Sequence, residues 1–455
     1  MTFFRRHSGV APSWLLTVAM VLMGSYALTA PKPTRLKKLP AGEKLRLHEE
    51  TGTIDTSIYS LPSSLFSRAE ARLFLAAVRD MAPNRKVVVL TDLDLDEQDT
   101  HLQVIHSSEA SFSPWPRDPF TIFMNPRRQL ILLNRPDRQP GREDDYHMAE
   151  ALSRGLRLAD PRFEQIQWAN APFTFHNGQI LFTSRKLWVD IHTLEHRILE
   201  LTGWQRLPVE RFGEPAVLRR LCDAAREAAD ELANLYGRRI HWVHPLPDGP
   251  DPARNQALVQ VLGGGAGYDL DSLVTVLARP GRSTAVLVGS ISLADNLLRE
   301  APLAELDAFS QGMGLAGKGA WMRDQLQRGL RAQPARALAD YLDLVAASLI
   351  HDGLDVVRLP LLPVDASLVA GAELVNPVFL VGWQNVVAIP VVHRAEGFAS
   401  LLPSGDRQAR EAYASLGYEL DLLPPLVPSV LRGGGYRCAS KHLGPSGKTR
   451  RGEGL

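Results

Sequence analysis

The residue best suited to nucleophilic chemistry is Cys438, one of two cysteines among 455 residues. It follows three glycines at positions 433–435, and glycine lets a backbone turn tightly and approach a ligand closely. The neighbouring Arg437 favours the thiolate, which is the nucleophilic form of cysteine. The alternative is a small buried cysteine after a flexible turn. Cys222, in a helical pattern without an adjacent glycine or cationic cage, fits that structural alternative.

A second candidate is Asp118, in the segment Trp-Pro-Arg-Asp-Pro-Phe at positions 115–120, directly before a predicted strand. A tryptophan ring can cover the face of a planar cation while a carboxylate accepts its N–H groups. Trp115 and Asp118 therefore suit a planar cationic ligand. The alternative is a structural Arg-Asp turn that the two prolines shape.

A third candidate is the pair Asp269 and Asp271, at the start of a predicted strand over residues 273–278. Alternation along an extended chain places both carboxylates on one face. Two like charges so close need a cation between them or a raised pKa. The alternative is a solvated, aspartate-rich strand entry.

Four short segments together resemble the guanidino-group-modifying (pentein) superfamily, which includes arginine deiminases and peptidylarginine deiminases. They are Trp-Pro-Arg-Asp-Pro-Phe (115–120), Phe-His-Asn-Gly-Gln (175–179), Tyr-Asp-Leu-Asp (268–271) and Gly-Gly-Gly-Tyr-Arg-Cys-Ala-Ser (433–440). They follow the order of the family's motifs; the first and last are fairly specific, and the middle two are degenerate. The resemblance implies an α/β fold, a five-bladed propeller with a pseudo-fivefold repeat of hairpin–helix modules.

The same resemblance implies hydrolysis of a guanidino compound, free or peptidyl arginine or a relative of it. Cys438 would attack the guanidinium carbon and form an amidino-thioether, which water would convert to a ureido product. Asp118 and Asp271 would hold the N–H groups, with Trp115 and Arg437 beside the substrate. No cofactor and no metal are implied.

Two positions depart from the family's pattern. Asp269 stands where the family has its general acid/base histidine, and His176 stands where it has the glutamate that orients that histidine. If the two residues have exchanged places, His176 and Asp269 still form an imidazole–carboxylate pair, which places both among the predicted catalytic residues with Cys438. The alternative is a catalytically altered relative that binds a guanidino ligand or a partner.

A competing motif is His-Thr-Leu-Glu-His at positions 192–196. On one helix, His192 and His196 would lie one turn apart and could bind zinc, with Glu195 as a base. This remoter hypothesis is a zinc hydrolase; its alternative is two histidines on a solvated helix.

Composition narrows the class of protein. The chain is 45% hydrophobic and carries 51 basic against 50 acidic residues. It can therefore bury a large core, and it lacks the positive charge expected of a nucleic-acid-binding protein.

The N-terminus reads as a targeting segment. Residues 5–7 are basic, residues 10–30 carry no charge, and small residues end the run, which is typical of a secretory signal peptide or of a membrane tether through residues 10–30. We therefore expect an exported protein, periplasmic or secreted. Residues 31–60 are predicted as a linker or arm, and 61–455 as one catalytic domain.

Short apolar runs predict strands, several of them paired in hairpins. The predicted strands are 87–90, 102–105, 120–124 with 130–133, 180–183 with 187–189, 273–278 with 285–288, and 378–381 with 386–390. Helical periodicity predicts helices over 195–201, 216–236, 293–298, 321–330, 335–350 and 407–416. This recurrence of hairpin and helix favours the propeller over a doubly wound sheet; the alternative is a pair of α+β domains.

Overall fold

The structure is a computed structural model with an α/β fold. It describes residues 46–47, 54–95, 100–107, 112–138, 142–159, 161–175, 177–182, 186–244, 246, 270–277, 284–312, 314–364, 378–381, 387–389, 394–400, 402–424, 426–427 and 436–443. The predicted targeting segment, residues 1–30, lies outside these ranges and stays a prediction. Within the described ranges, no helix has both the length and the apolar character that crossing a bilayer requires.

The described strands form five small sheets that repeat one connection. In each, two antiparallel strands are followed by helix and then by a strand that runs parallel to the second. Helical crossovers of this kind are what parallel neighbours require. The hairpin–helix recurrence expected from the sequence is therefore present, completed each time by a third strand.

Three of the repeats follow one another along the chain and end at Val381. The first comprises β5 (Phe120–Met124), β6 (Leu130–Asn134), α2 (Met148–Ala159) and β7 (Gln167–Asn170), with β1 (Arg46–Leu47) beside β5. The second comprises β8 (Leu181–Phe182), β9 (Leu187–Val189), α3 (Glu195–Thr202), α4 (Pro215–Tyr236) and β10 (Ile240–Trp242). The third comprises α5 (Leu270–Leu273), β11 (Val274–Leu277), β12 (Ala285–Ser290), α6 (Ile291–Glu300), α7 (Leu303–Gly312), α8 (Gly319–Arg331), α9 (Gln333–His351), β13 (Asp355–Val364) and β14 (Val378–Val381).

The last two repeats include the C-terminal part of the chain. One comprises β15 (Val387–Ile389), β16 (Arg394–Phe398), α10 (Pro403–Ser415) and β17 (Glu419–Leu423). The other joins both ends: β2 (Thr56–Ser60), α1 (Arg68–Met81), β3 (Lys86–Thr91), β4 (Leu102–His106), α11 (Tyr436–Ala439) and β18 (Ser440–Leu443). Here β18 pairs antiparallel with β2. The antiparallel pair of this repeat is therefore not a hairpin, because its two strands are more than 380 residues apart in sequence.

Local sequence explains why the helices form where they do. At α1, Ser67 caps the first turn and the Glu70 carboxylate accepts the Ser67 backbone N–H at 2.8 Å, a reciprocal capping box. Phe74, Leu75 and Val78 then lie on one buried face. This helix begins directly after β2, which is buried throughout and lies within the predicted linker, so folded chain precedes residue 61.

Two sequence-based expectations are wrong. Strands 378–381 and 386–390 do not form a hairpin: β14 pairs with β13 and β15 pairs with β16, because the chain crosses from one sheet to the next between them. Residues 270–273 are helical rather than extended. Leu270 and Leu273 are both buried, and their three-residue spacing suits a helix. The backbone at Asp271 is therefore not part of a strand, and Asp269 lies outside the described residues.

The last two repeats are joined by a buried ion pair. The Arg85 guanidinium, just before β3, donates to Glu396 of β16 through two N–H groups, at 2.8 and 2.5 Å. Arg85 also donates to Ser57 Oγ at 3.2 Å. The Arg85 and Glu396 side chains are 7% and 2% exposed, so neither charge can be solvated if its partner is removed.

We therefore expect Glu396→Ala to lower the free energy of unfolding by about 3–5 kcal/mol, the usual cost of removing one partner of a buried ion pair. Urea unfolding measures this. The control is Asp343→Ala, which removes an ion pair to Arg358 at 2.7 Å whose carboxylate is 71% exposed; it should cost about 1 kcal/mol or less. Equal losses in the two variants would contradict the role given to the buried pair.

Candidate active site

The loop that carries Asp118 is fixed by a lysine from the last strand. Lys441 of β18 is fully buried; its ammonium donates to the carbonyl oxygen of Arg117 at 3.1 Å and to that of Phe120. The same ammonium lies 4.2 Å from the centre of the Phe120 ring. These contacts lie on both sides of Asp118, so the strand that follows Cys438 holds the loop in place.

The second motif is attached to the same loop through Asn177. Its side-chain N–H donates to the backbone oxygen of Asp118 at 3.2 Å. Its Oδ1 accepts the Tyr236 hydroxyl at 3.3 Å and the Thr121 hydroxyl. Every one of these groups is buried, so the turn Asn177–Gln179 has a defined place beside Asp118.

The third and fourth motifs meet at this turn. The helical turn α5, which includes Asp271, contacts both the turn Asn177–Gln179 and α11, which includes Cys438. All four motif segments are therefore neighbours, although the first and the last are separated by more than 300 residues in sequence. The side chains of Asp271 and Arg437, and all of His176 and Asp269, lie outside what the structure describes, so the His176–Asp269 contact stays a prediction.

Of the two carboxylate oxygens of Asp118, one accepts a hydrogen bond from a described residue and the other does not. Its Oδ2 accepts from Arg142 at 2.8 Å, whereas Oδ1 is buried and has no hydrogen-bond partner among the residues that the structure describes. Asp118 is 8% exposed. A buried carboxylate oxygen without a donor is costly, and a ligand that brings an N–H group and a positive charge would relieve that cost.

Arg142 occupies the position beside Trp115 and Asp118 in which we expected a ligand. Its guanidinium lies 4.7 Å from the centre of the Trp115 ring and also contacts Asp145 at 2.7 Å. Burial by itself lowers the pKa of Arg142, but the charges of Asp118 and Asp145 raise it above its usual value. One face of Trp115 therefore serves an internal cation; a contact of Trp115 with substrate stays a prediction.

The two cysteines differ in setting. Burial in α4 raises the pKa of Cys222 to about 11, which keeps it a thiol at neutral pH. Cys438 is 2% exposed and lies in the helical turn that leads into β18, at the meeting point of the four motifs. In the described part of the chain, neither cysteine forms a disulfide.

The geometry gives no support to the zinc hypothesis. His192 lies in a 3-10 turn, His192–Leu194, that precedes α3, and it is buried with Nδ1 3.4 Å from Glu195 Oε2. His196 lies in α3 and is exposed. Among the residues with described positions, no three His, Cys, Asp or Glu side chains are grouped as metal ligands.

Three residues of this region were missed from sequence. Arg142 and Lys441 are isolated basic residues, and nothing in their neighbourhood in the chain indicates that they are buried partners of the Asp118 loop. Asn177 stands inside a motif, and a signal for it existed: a polar residue between Phe175 and Gly178 in an apolar stretch needs hydrogen-bond partners.

Comparisons with known proteins identify the fold. No protein-family model matches the chain, and no curated protein matches it in sequence. Agmatine deiminase from C. jejuni aligns with a TM-score of 0.51 at 10% identity, over 90% of this chain and 98% of that one. A substrate-bound variant of that enzyme gives 0.50 at 11% identity, over the same shares of both chains. At the level of the fold, the resemblance to the guanidino-group-modifying superfamily is confirmed.

Selective labelling tests the difference between the cysteines. At pH 8 a thiol with a pKa near 11 is about 0.1% thiolate, so Cys222 should stay unmodified. A haloacetamidine should modify Cys438, because its cationic head would be attracted to the carboxylates predicted for this site, Asp118 and Asp271. Peptide mass spectrometry measures both sites. Equal modification of the two, or none, would identify Cys438 as an inert structural thiol.

Proposed function

We propose that this chain, which has the fold of agmatine deiminases, is a deiminase-type hydrolase of a guanidino compound. The observation that carries the proposal is the open Oδ1 of Asp118. It is a buried acceptor at the place where the segments of Cys438, Asp271 and His176 meet. A guanidinium supplies what this acceptor lacks, a positive charge and planar N–H donors.

The repeated sheets support a propeller arrangement for this site. Five α/β repeats, with β18 and β2 joining the two ends of the chain, suit five blades around a common axis. In that arrangement the inner ends of the blades bring residues from distant parts of the chain to one centre. The contacts of α11 with α5 and with β16 are consistent with such a centre.

The proposed chemistry proceeds in two halves. The Cys438 thiolate attacks the guanidinium carbon, a C–S bond forms, and one terminal nitrogen takes up a proton and leaves as ammonia. A water molecule then attacks the carbon of the amidino-thioether and loses both of its protons, and the C–S bond breaks to restore the thiolate. One of these protons replaces the one used in the first half, the other converts ammonia to ammonium, and the second product is a ureido compound. Asp118 and Asp271 hold the cation in line for both attacks.

A panel of guanidino compounds tests the reaction: agmatine, L-arginine, an acylated arginine amide and dimethylarginine. We expect release of ammonia, or of dimethylamine from the last compound, with an equal amount of ureido product. Cys438→Ser should reduce the rate by at least about 10³-fold, because the nucleophile is removed.

The matched control is Cys222→Ser, which changes the other thiol and should keep the wild-type rate. Binding of a compound without turnover by the wild-type protein would favour the catalytically altered relative. If no compound binds or reacts, the proposed function is wrong.

His176 is the proposed carrier of the protons, with Asp269 fixing its tautomer. His176→Ala should therefore abolish turnover while the affinity for the guanidino compound changes less than about threefold, since Asp118 and Asp271 remain. Calorimetric titration with the best compound of the panel measures affinity, and ammonia release measures turnover. A variant that retains the wild-type turnover would rule out the exchange of the two residues.

A further inference from the structure

Arg142 contacts Asp118, Asp145, Ser113 and Trp115, which together with it form the Arg142 cluster. Besides Asp118 Oδ2, its guanidinium donates to Asp145 Oδ2 from Nε at 2.8 Å and to Ser113 Oγ at 2.9 Å. The fourth contact is with the Trp115 ring. The Arg142 side chain is 14% exposed. A planar guanidinium held at its edges and on one face has a single orientation.

The charges of this cluster do not cancel. Two carboxylates, Asp118 and Asp145, share one guanidinium, so one negative charge is left. Both oxygens of Asp145 are in use, because Oδ2 accepts from Arg142 and Oδ1 accepts the Ser113 backbone N–H at 2.7 Å. Within the described part of the cluster, the carboxylate oxygen left without a donor is therefore Asp118 Oδ1.

We propose that Arg142 is a positioning residue that holds Asp118 Oδ2, so that Oδ1 alone accepts an N–H group of the substrate. This inference rests on the proposed function. It follows that the substrate guanidinium makes one hydrogen bond to Asp118 rather than two. Trp115 acts indirectly, because its ring holds Arg142 and Arg142 in turn holds the Asp118 carboxylate. The angle at which the substrate carbon meets the Cys438 thiolate then depends on Arg142.

Replacing Arg142 separates positioning from binding. In Arg142→Gln the two carboxylates lose the cation between them, so one of them takes up a proton and the other still attracts a cationic substrate; KM should therefore stay about equal. Asp118 can then rotate, the substrate loses its alignment, and kcat should fall by about 100-fold. Arg142→Lys keeps the charge but not the fork of donors, and its kcat should lie between those of Arg142→Gln and wild type.

Two further variants give the expected contrast. Asp118→Asn removes the charge that binds the cation, so its KM should rise at least tenfold. Ser113→Ala removes one acceptor from Arg142 at the edge of the cluster and should lower kcat by less than Arg142→Gln does. If Arg142→Gln raises KM with kcat unchanged, Arg142 contributes to binding alone and the inference is wrong.

Inactivation of Cys438 supplies a readout that does not need turnover. With a haloacetamidine, the maximal inactivation rate of Arg142→Gln should fall at least tenfold while the half-saturating concentration does not rise. With neutral iodoacetamide the rate should match wild type, because alignment by Asp118 plays no part; an equal fall with both reagents would show a merely structural role and overturn the inference.

These readouts keep the two proposals apart. A wild-type protein that releases no ammonia from the panel, but shows the haloacetamidine contrast, would overturn the proposed function and retain the role of Arg142. Ammonia release with unchanged kinetics in Arg142→Gln would do the opposite. If neither reagent modifies Cys438 and no compound reacts, both proposals are overturned.

Discussion

The ammonium of Lys441 connects the two halves of the candidate site. It is fully buried, so it must find its hydrogen-bond partners inside the protein, and it finds them in the carbonyl oxygens of Arg117 and Phe120. These carbonyls lie on either side of Asp118, and Lys441 follows Cys438 by three residues. The Lys441 ammonium therefore fixes the position of the loop that carries Asp118, the proposed cation-binding carboxylate, relative to the strand that follows Cys438, the proposed nucleophile.

The strand that carries Lys441 is polar and yet buried, and its other side chains complete the same frame. His442 contacts Ser57 Oγ at 3.1 Å and Ser440 Oγ at 3.0 Å. Ser57 in turn accepts from Arg85, whose second partner is Glu396. A buried polar network stabilises one arrangement when its members are satisfied. It joins β18 to β2 and reaches β16 in the neighbouring repeat.

The guanidinium of Arg142 lies next to the proposed binding site for a guanidinium substrate. Arg142 takes one oxygen of Asp118 and one face of Trp115, the groups that the sequence suggested for a ligand. Its single positive charge is shared by two carboxylates, Asp118 and Asp145. Among the described residues, Asp118 Oδ1 has no donor. The internal cation thereby limits the substrate to a single acceptor on Asp118, which is more selective than an open carboxylate.

Three hairpins (β5–β6, β8–β9 and β11–β12), six helices (α3, α4, α6, α8, α9 and α10) and the four motifs could be predicted from the sequence, because strand runs, helical periodicity and motifs are properties of neighbouring residues. Helices α1, α2 and α7 were not predicted. The β5–β6 hairpin and helix α4 lie within a residue of the predicted bounds. Only the tertiary structure revealed that the polar run Ser440–Leu443 is a buried strand, that β14 and β15 belong to different sheets, and that Arg142 lies behind Asp118. Each of these depends on a partner elsewhere in the chain, and a buried charge looks like a surface charge until its partner is known.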